Sequence, residues 1–107
     1  MENSTNNLTQ YIGSFVNRYG YSDIDPVGQI VGIKGKTTLI IRRVEAGKNK
    51  TKMEFIPGGF SATCVNQYEQ EYDFEILDYT FEMRYSKQFL KQYRIDSKPV
   101  KYYDYNF

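Results

Sequence analysis

Histidine is absent from this chain. That removes the commonest general base, the commonest transition-metal ligand and the usual partner of a nucleophilic serine or cysteine. Cysteine occurs once, as Cys64, so no intrachain disulfide can form. A reducing, intracellular compartment is the simpler expectation. No apolar run approaches the ~18 residues of a membrane span, and no membrane partner is expected. Residues 1–7 are polar and lack the cationic and apolar regions of a secretory signal. Basic residues are missing from Val65 to Met83. Cys64 would need a base or a strong positive field to act as a nucleophile. It is therefore expected to be a buried, inert thiol, and Ser61 and Thr63 lack a base for the same reason. Neither an enzyme nor a cofactor is expected.

What is present is aromatic and strand-forming. The 107 residues include 11 Tyr and 7 Phe but no Trp. A chain of this length reads as one domain, residues 1–107, able to build a core without metals or disulfides. Tyrosine and β-branched residues favour strands. Tyrosine also makes rigid binding surfaces at low entropic cost. The net charge is +1, but the charge is segmented. Residues 34–52 are basic apart from Glu45, residues 65–83 are purely acidic, and residues 84–101 are basic again apart from Asp96. Acidic and basic strands lying side by side would pair these charges across a sheet. A basic face for an anion is the functional alternative.

Along the chain, Leu8, Tyr11, Ile12, Phe15, Val16 and Tyr19 recur at helical spacing. With Asn6 or Asn7 as N-cap and Gly20 as C′ residue, this predicts a helix over 7–19. Residues 1–20 then read as a helical extension of a β domain spanning 21–107, and the helix as a route to a homo-oligomer. Strands are expected at 27–33 and 37–45, closed into a hairpin at Lys34-Gly35-Lys36. Gly28 and Gly32 mark bulges or a close backbone approach. A short strand at 51–56 ends at Pro57. Residues 69–77 and 79–85 both alternate, but the apolar phase slips between Ile76 and Tyr79, which requires a turn or bulge at Leu77-Asp78. Residues 89–95 read as a strand, with a short helix at 86–93 as alternative. Val100–Phe107 reads as a docked last strand. The pattern predicts a small antiparallel barrel or rolled sheet of six or seven strands with one N-terminal helix.

The stretch around Pro57 holds the residues most suited to binding. Gly58 and Gly59 can present backbone N–H groups to an anion. Asn66 and Gln67 carry paired donors and acceptors suited to a base edge. Phe60, Tyr68 and Tyr72 can stack on a ring, and Arg42 and Arg43 can supply charge. With Ser61 and Thr63 these form a candidate site for a small nucleotide-like ligand. Glu69, Glu71, Asp73 and Glu75 would share a strand face, but no calcium-loop spacing is present and no metal is expected.

Pro57-Gly58-Gly59-Phe60-Ser61-Ala62-Thr63-Cys64-Val65-Asn66-Gln67, followed by Gln70-Glu71-Tyr72, resembles the signature of a small domain family encoded by phages and mobile elements. The Tyr21-Ser22-Asp23 loop, the 27–45 hairpin and the Tyr102-Tyr103-Asp104-Tyr105-Asn106-Phe107 ending are similar too, so the resemblance spans residues 21–107. The family's pattern has His where this chain has Thr63 and Trp where it has Tyr72, so no His-dependent role carries over. The family has no established activity. Its genomic setting implies a phage-type protein in the cytoplasm of an infected or prophage-bearing bacterium. The expectation is a non-enzymatic binding protein that sequesters a small host nucleotide signal of antiviral defence. The alternatives are a protein–protein inhibitor of a host factor and a barrel that binds single-stranded nucleic acid.

Overall fold

The computed structural model describes residues 7–58 and 62–106. The described chain is mainly β, with seven strands: β1 (Phe15–Tyr19), β2 (Ile24–Lys34), β3 (Thr38–Ala46), β4 (Phe55–Ile56), β5 (Thr63–Cys64), β6 (Phe74–Arg84) and β7 (Tyr93–Asp96). Five of them form an antiparallel sheet in the order β6-β3-β2-β1-β7, and β4 pairs with β5 in a separate two-stranded sheet.

The β2–β3 hairpin lies where the sequence places it. Gly35 closes its turn at φ 64°, in the left-handed region that glycine tolerates. Gly28 is a point of close approach. A Cβ there would sit 2.3 Å from the Arg42 carbonyl oxygen and 2.4 Å from Ile41 Cγ2. The β2–β3 register steps from Ile30↔Ile41 to Gly32↔Ile40, which leaves Val31 as a bulge residue. The phase slip near Leu77 is also a bulge rather than a turn. β6 runs unbroken through it, and the register steps from Arg42↔Thr80 to Val44↔Ile76, adding two residues to β6.

The helix expected at 7–19 does not form. A 3-10 turn over Leu8–Tyr11, capped by the Asn7 side chain on the Thr9 N–H, gives way to a reversal at Gly13, whose φ is 98°. Phe15–Tyr19 then enters the sheet as an inner strand between β2 and β7. The helical spacing arose because Leu8 and Val16 reach the same core from a turn and a strand. Among the described residues, the helix expected to serve an oligomer is therefore absent. Residues 15–19 belong to the sheet rather than to an extension.

Nor is the sheet a closed barrel. β6 and β7 stand at opposite edges with three strands between them, and the four residues of β7 cannot pair along the eleven of β6. The molecule measures 58 × 28 × 19 Å with a radius of gyration of 17.0 Å. A compact chain of this length would have about 13 Å. Four expected strands shrink. The 51–56 strand is β4 alone, because only Phe55 and Ile56 have a partner strand. The 89–95 segment is a 3-10 turn, Phe89–Lys91, followed by β7. The last segment keeps a single bridge, Ile24↔Tyr102. The strand expected from Glu69 begins at Phe74, so Glu69, Glu71 and Asp73 share no strand face with Glu75.

One face of the sheet carries the core: Leu8, Val16, Ile30, Leu39, Ile41 and Phe89, flanked by Phe81, Met83, Tyr85, Tyr93 and Ile95. The charge segments pair as adjacent strands would: basic β3 lies beside acidic β6. Lys34 reaches Glu82 at 3.4 Å and Lys50 reaches Asp73 at 3.2 Å, both pairs exposed. Such exposed pairs contribute little stability. Gly28→Ala is expected to lower unfolding free energy by about 3 kcal/mol, because its methyl group meets backbone that cannot retreat. Urea denaturation would measure it, and a loss below about 1 kcal/mol would mean that the strands part easily at this point.

Candidate functional site

β2 and β3 pair up to Gly28↔Arg43 and then diverge. Beyond that point β3 pairs only with β6, and the start of β2 pairs with β1. The fork is held by side chains. Arg43 Nη1 donates to the carbonyls of Pro26 (3.1 Å) and Val27 (3.0 Å). Arg43 Nε lies 3.7 Å from Glu45, and Lys101 Nζ lies 2.5 Å from Asp25. These residues, with Pro26 and Ala46, line a cleft of about 240 Å³. Two cations and two carboxylates face one another there, so the cleft holds no spare positive charge for an anion.

Residues 97–106 form a strap that begins at β1. The buried Asn17 receives the Val100 N–H (2.9 Å) and donates to the Lys98 carbonyl (3.0 Å) and to Asp96 (2.8 Å). Tyr102 then exchanges both backbone bonds with Ile24, on the edge of β2 that β3 has left. Further on, the strap is gripped by side-chain amides. Gln70 donates to the Tyr103 carbonyl (2.6 Å) and accepts the Tyr103 N–H (2.9 Å). Gln67 accepts the Tyr105 N–H (2.8 Å). Asn106 in turn grips β5, accepting the Cys64 N–H (2.7 Å) and donating to the Cys64 carbonyl (2.9 Å). Residues 100–106 are thus docked, as expected, but through carboxamides and one bridge rather than a strand ladder; Phe107 lies outside the described residues.

The eleven candidate binding residues divide into groups, with Tyr72 in a cluster of its own. Asn66 is buried; its oxygen accepts the Glu54 N–H (2.8 Å) and its amide donates to the Lys52 carbonyl (3.0 Å). The oxygens of Asn66 and Gln67 therefore both hold backbone of this chain. Thr63 sits on β5 opposite Ile56, with its side chain exposed. Tyr68 is 76% exposed, and Gly58 has open space beyond its Cα. Gly59, Phe60 and Ser61 lie outside the described residues. Arg42 is half-buried within the sheet, opposite Gln29 and Thr80. Arg43 lines the fork cleft; Gly58, Thr63, Asn66, Gln67 and Tyr68 do not. Cys64 is buried, with its sulfur 3.8 Å from Met53 Sδ and 3.6 Å from Asn66 Oδ1. Among the described residues, no three acids, cysteines or histidines gather as a metal-binding group.

Sequence reasoning missed two features. The first is the Tyr72 cluster. Its hydroxyl donates to Gln70 at 2.5 Å, and burial, then Tyr105, Asp23 and Asp25, push its pKa up to about 12. No local signal could reveal partners that come from three separated segments. The second is the β4–β5 hairpin surface. Phe55 and Ile56 are consecutive, so they point to opposite faces, and they are 49% and 54% exposed. Val65, Tyr68 and Tyr103 are further large side chains left exposed in this half of the molecule. The chain matches no protein-family model, no curated protein and no solved structure.

Asn66→Ala strips a partner from the Glu54 N–H and the Lys52 carbonyl and should cost about 1–2 kcal/mol in urea unfolding. Asn66→Asp keeps the acceptor but buries a carboxylate against the Lys52 carbonyl, so it should cost at least as much as the alanine variant. Tyr72 holds its proton more tightly when folded. Its contribution is therefore fully present below the unfolded value of ~10 and is lost as pH rises through about 12. Melting temperature should fall over that window, and Tyr72→Phe should flatten the fall. An unchanged alkaline profile in the variant would remove Tyr72 from this role.

Proposed function

We propose that this chain is a non-catalytic binding protein that engages a protein partner through the β4–β5 hairpin. The observation that carries this reading is the exposure of Phe55 and Ile56 on the two faces of a two-stranded sheet. The Phe55 ring meets Tyr105 of the strap edge-on at 6.3 Å between centroids, yet about half of Phe55 and half of Ile56 stay open to solvent, more apolar surface than two short strands need for their own packing. Exposed Tyr68 and Tyr103 add the amphipathic aromatic surface that interfaces favour. The phage-type resemblance supplies the setting: a host factor in the bacterial cytoplasm, bound and inhibited.

Nucleotide sequestration by residues 57–68 and single-strand binding are the competing readings. The oxygens of Asn66 and Gln67 already accept backbone N–H groups, and Arg43 faces carbonyls and Glu45, so fewer free groups support a nucleotide site. The double variant Phe55→Ser, Ile56→Ser tests the reading. Wild type should retain one stoichiometric protein from a bacterial lysate. The variant should bind that protein at least ~10-fold more weakly, a loss of about 1.4 kcal/mol, while Ile56→Ser alone, which keeps the Phe55–Tyr105 contact, should weaken binding with the smaller change in melting temperature. Calorimetric heat with a cyclic or linear nucleotide and no captured protein would replace this reading with sequestration. Affinity for single strands that falls steeply with salt would replace it with nucleic-acid binding.

A further inference from the structure

The sheet has two edges, and they are unlike. β7 is four residues long, the ordinary way to keep an edge unattractive. β6 is eleven residues long and is hydrogen-bonded on one side only, to β3. The direction of its free groups follows from its ends. The Tyr85 N–H donates inward to Thr37 (2.7 Å), and the Asp73 carbonyl accepts inward from Gly47 (2.8 Å). Backbone groups alternate along an antiparallel strand, so odd-numbered residues face β3 and even-numbered residues face outward. The bulge near Leu77 adds two residues, an even number, and leaves this phase unchanged. The N–H and C=O groups of Ile76, Asp78, Thr80, Glu82 and Arg84 therefore form one outward row. Among the described residues no other strand pairs with it.

The side chains say what would fit there. Glu75, Asp78 and Glu82 stand against the single cation Arg84, so two copies of β6 would bring like charges together. Glu75 and Asp78 have no ion-pair partner among the described residues, and Glu82 has only the exposed Lys34. On the core-facing side, Phe81 and Met83 pack on the core, while Tyr79, 53% exposed, touches Phe81 with a ring-centroid distance of 6.4 Å. An apolar side chain entering beside β6 would continue that surface. We infer that the β6 edge accepts an extended segment of a partner protein, alternating apolar with lysine or arginine residues, as a sixth strand. Main-chain bonds would supply affinity, and the acids would select the basic strand over a second copy.

The experiment titrates the isotope-labelled full chain, to millimolar, with a peptide alternating valine and lysine and with its valine–glutamate counterpart. Amide shifts should appear along 74–84 and in β3 with the lysine peptide, and not with the glutamate one. Thr80→Pro removes an outward donor and no bond to β3, since Thr80 N–H faces away from it. It should weaken binding at least ~10-fold while leaving the sheet's other shifts in place. Should that variant not fold, Asp78→Lys with Glu82→Lys gives the second reading: preference should reverse to the glutamate peptide. The absence of β6 shifts with the lysine peptide overturns the proposal. So does binding that survives Thr80→Pro in a folded chain, or a charge-reversed chain that still prefers lysine. A concentration-dependent dimer that broadens the β6 amides also overturns it, because a second copy then holds the edge. Phe55→Ser, Ile56→Ser should leave the titration unchanged, which separates this edge from the hairpin surface.

Discussion

The half of this molecule outside the five-stranded sheet depends on one interaction: a side-chain carboxamide bonded to the backbone of a distant segment. A primary amide offers one acceptor and two donors in a plane, so it can match a peptide group as another peptide group would. Asn66, Gln70 and Asn106 each do so with both functions, and Asn49 Oδ1 accepts the N–H groups of Thr51 and Glu71. These residues satisfy backbone that has no ladder to join, which is why so little regular structure suffices between Gly47 and Asp73. They also explain why a polar, tyrosine-rich ending stays in place without becoming a strand.

That arrangement sets the limit on what the sequence could show. Features governed by local backbone chemistry were legible. The Gly35 turn, the close approach at Gly28 and the slip near Leu77 all follow from residue type and period over a few positions. The N-terminal reading failed because periodicity reports which residues are buried, not by what path they arrive. Leu8 and Val16 are both in the core, yet Gly13 turns the chain between them. The chemistry read into Asn66 and Gln67 was that of amides able to recognise polar edges. The edges that their oxygens meet are those of this chain, at Glu54 and Tyr105, and nothing within a dozen residues names the second of these partners.

Charge was legible at the level of strands but not of sites. Basic β3 lies beside acidic β6, as alternating charge blocks imply. The adjacent Arg42 and Arg43 nevertheless have different surroundings. Arg42 stands in register between Gln29 and Thr80, whereas Arg43 reaches the fork where β2 leaves β3. Which of two neighbouring arginines enters a cleft depends on where the two strands part, and Gly28 marks that point. The exposed aromatics were legible as a composition. Their concentration around the β4–β5 hairpin was not, because it depends on how the strap and the 67–70 turn place that hairpin.

The strap also orders how the molecule comes apart. Its first contacts are with Asn17 and Ile24, inside the main sheet, and its last are with Gln67 and Cys64, beside the small hairpin. The bonds near Tyr105 and Asn106 join irregular backbone and a two-residue strand, whereas those at Val100 and Tyr102 join the long ladders of the five-stranded sheet. Opening is therefore directional: the hairpin half frays as a separate, weaker cooperative unit, and the five-stranded sheet outlasts it. A partner that grips the hairpin would stiffen the less stable part of the chain and leave the more stable part as its rigid mount.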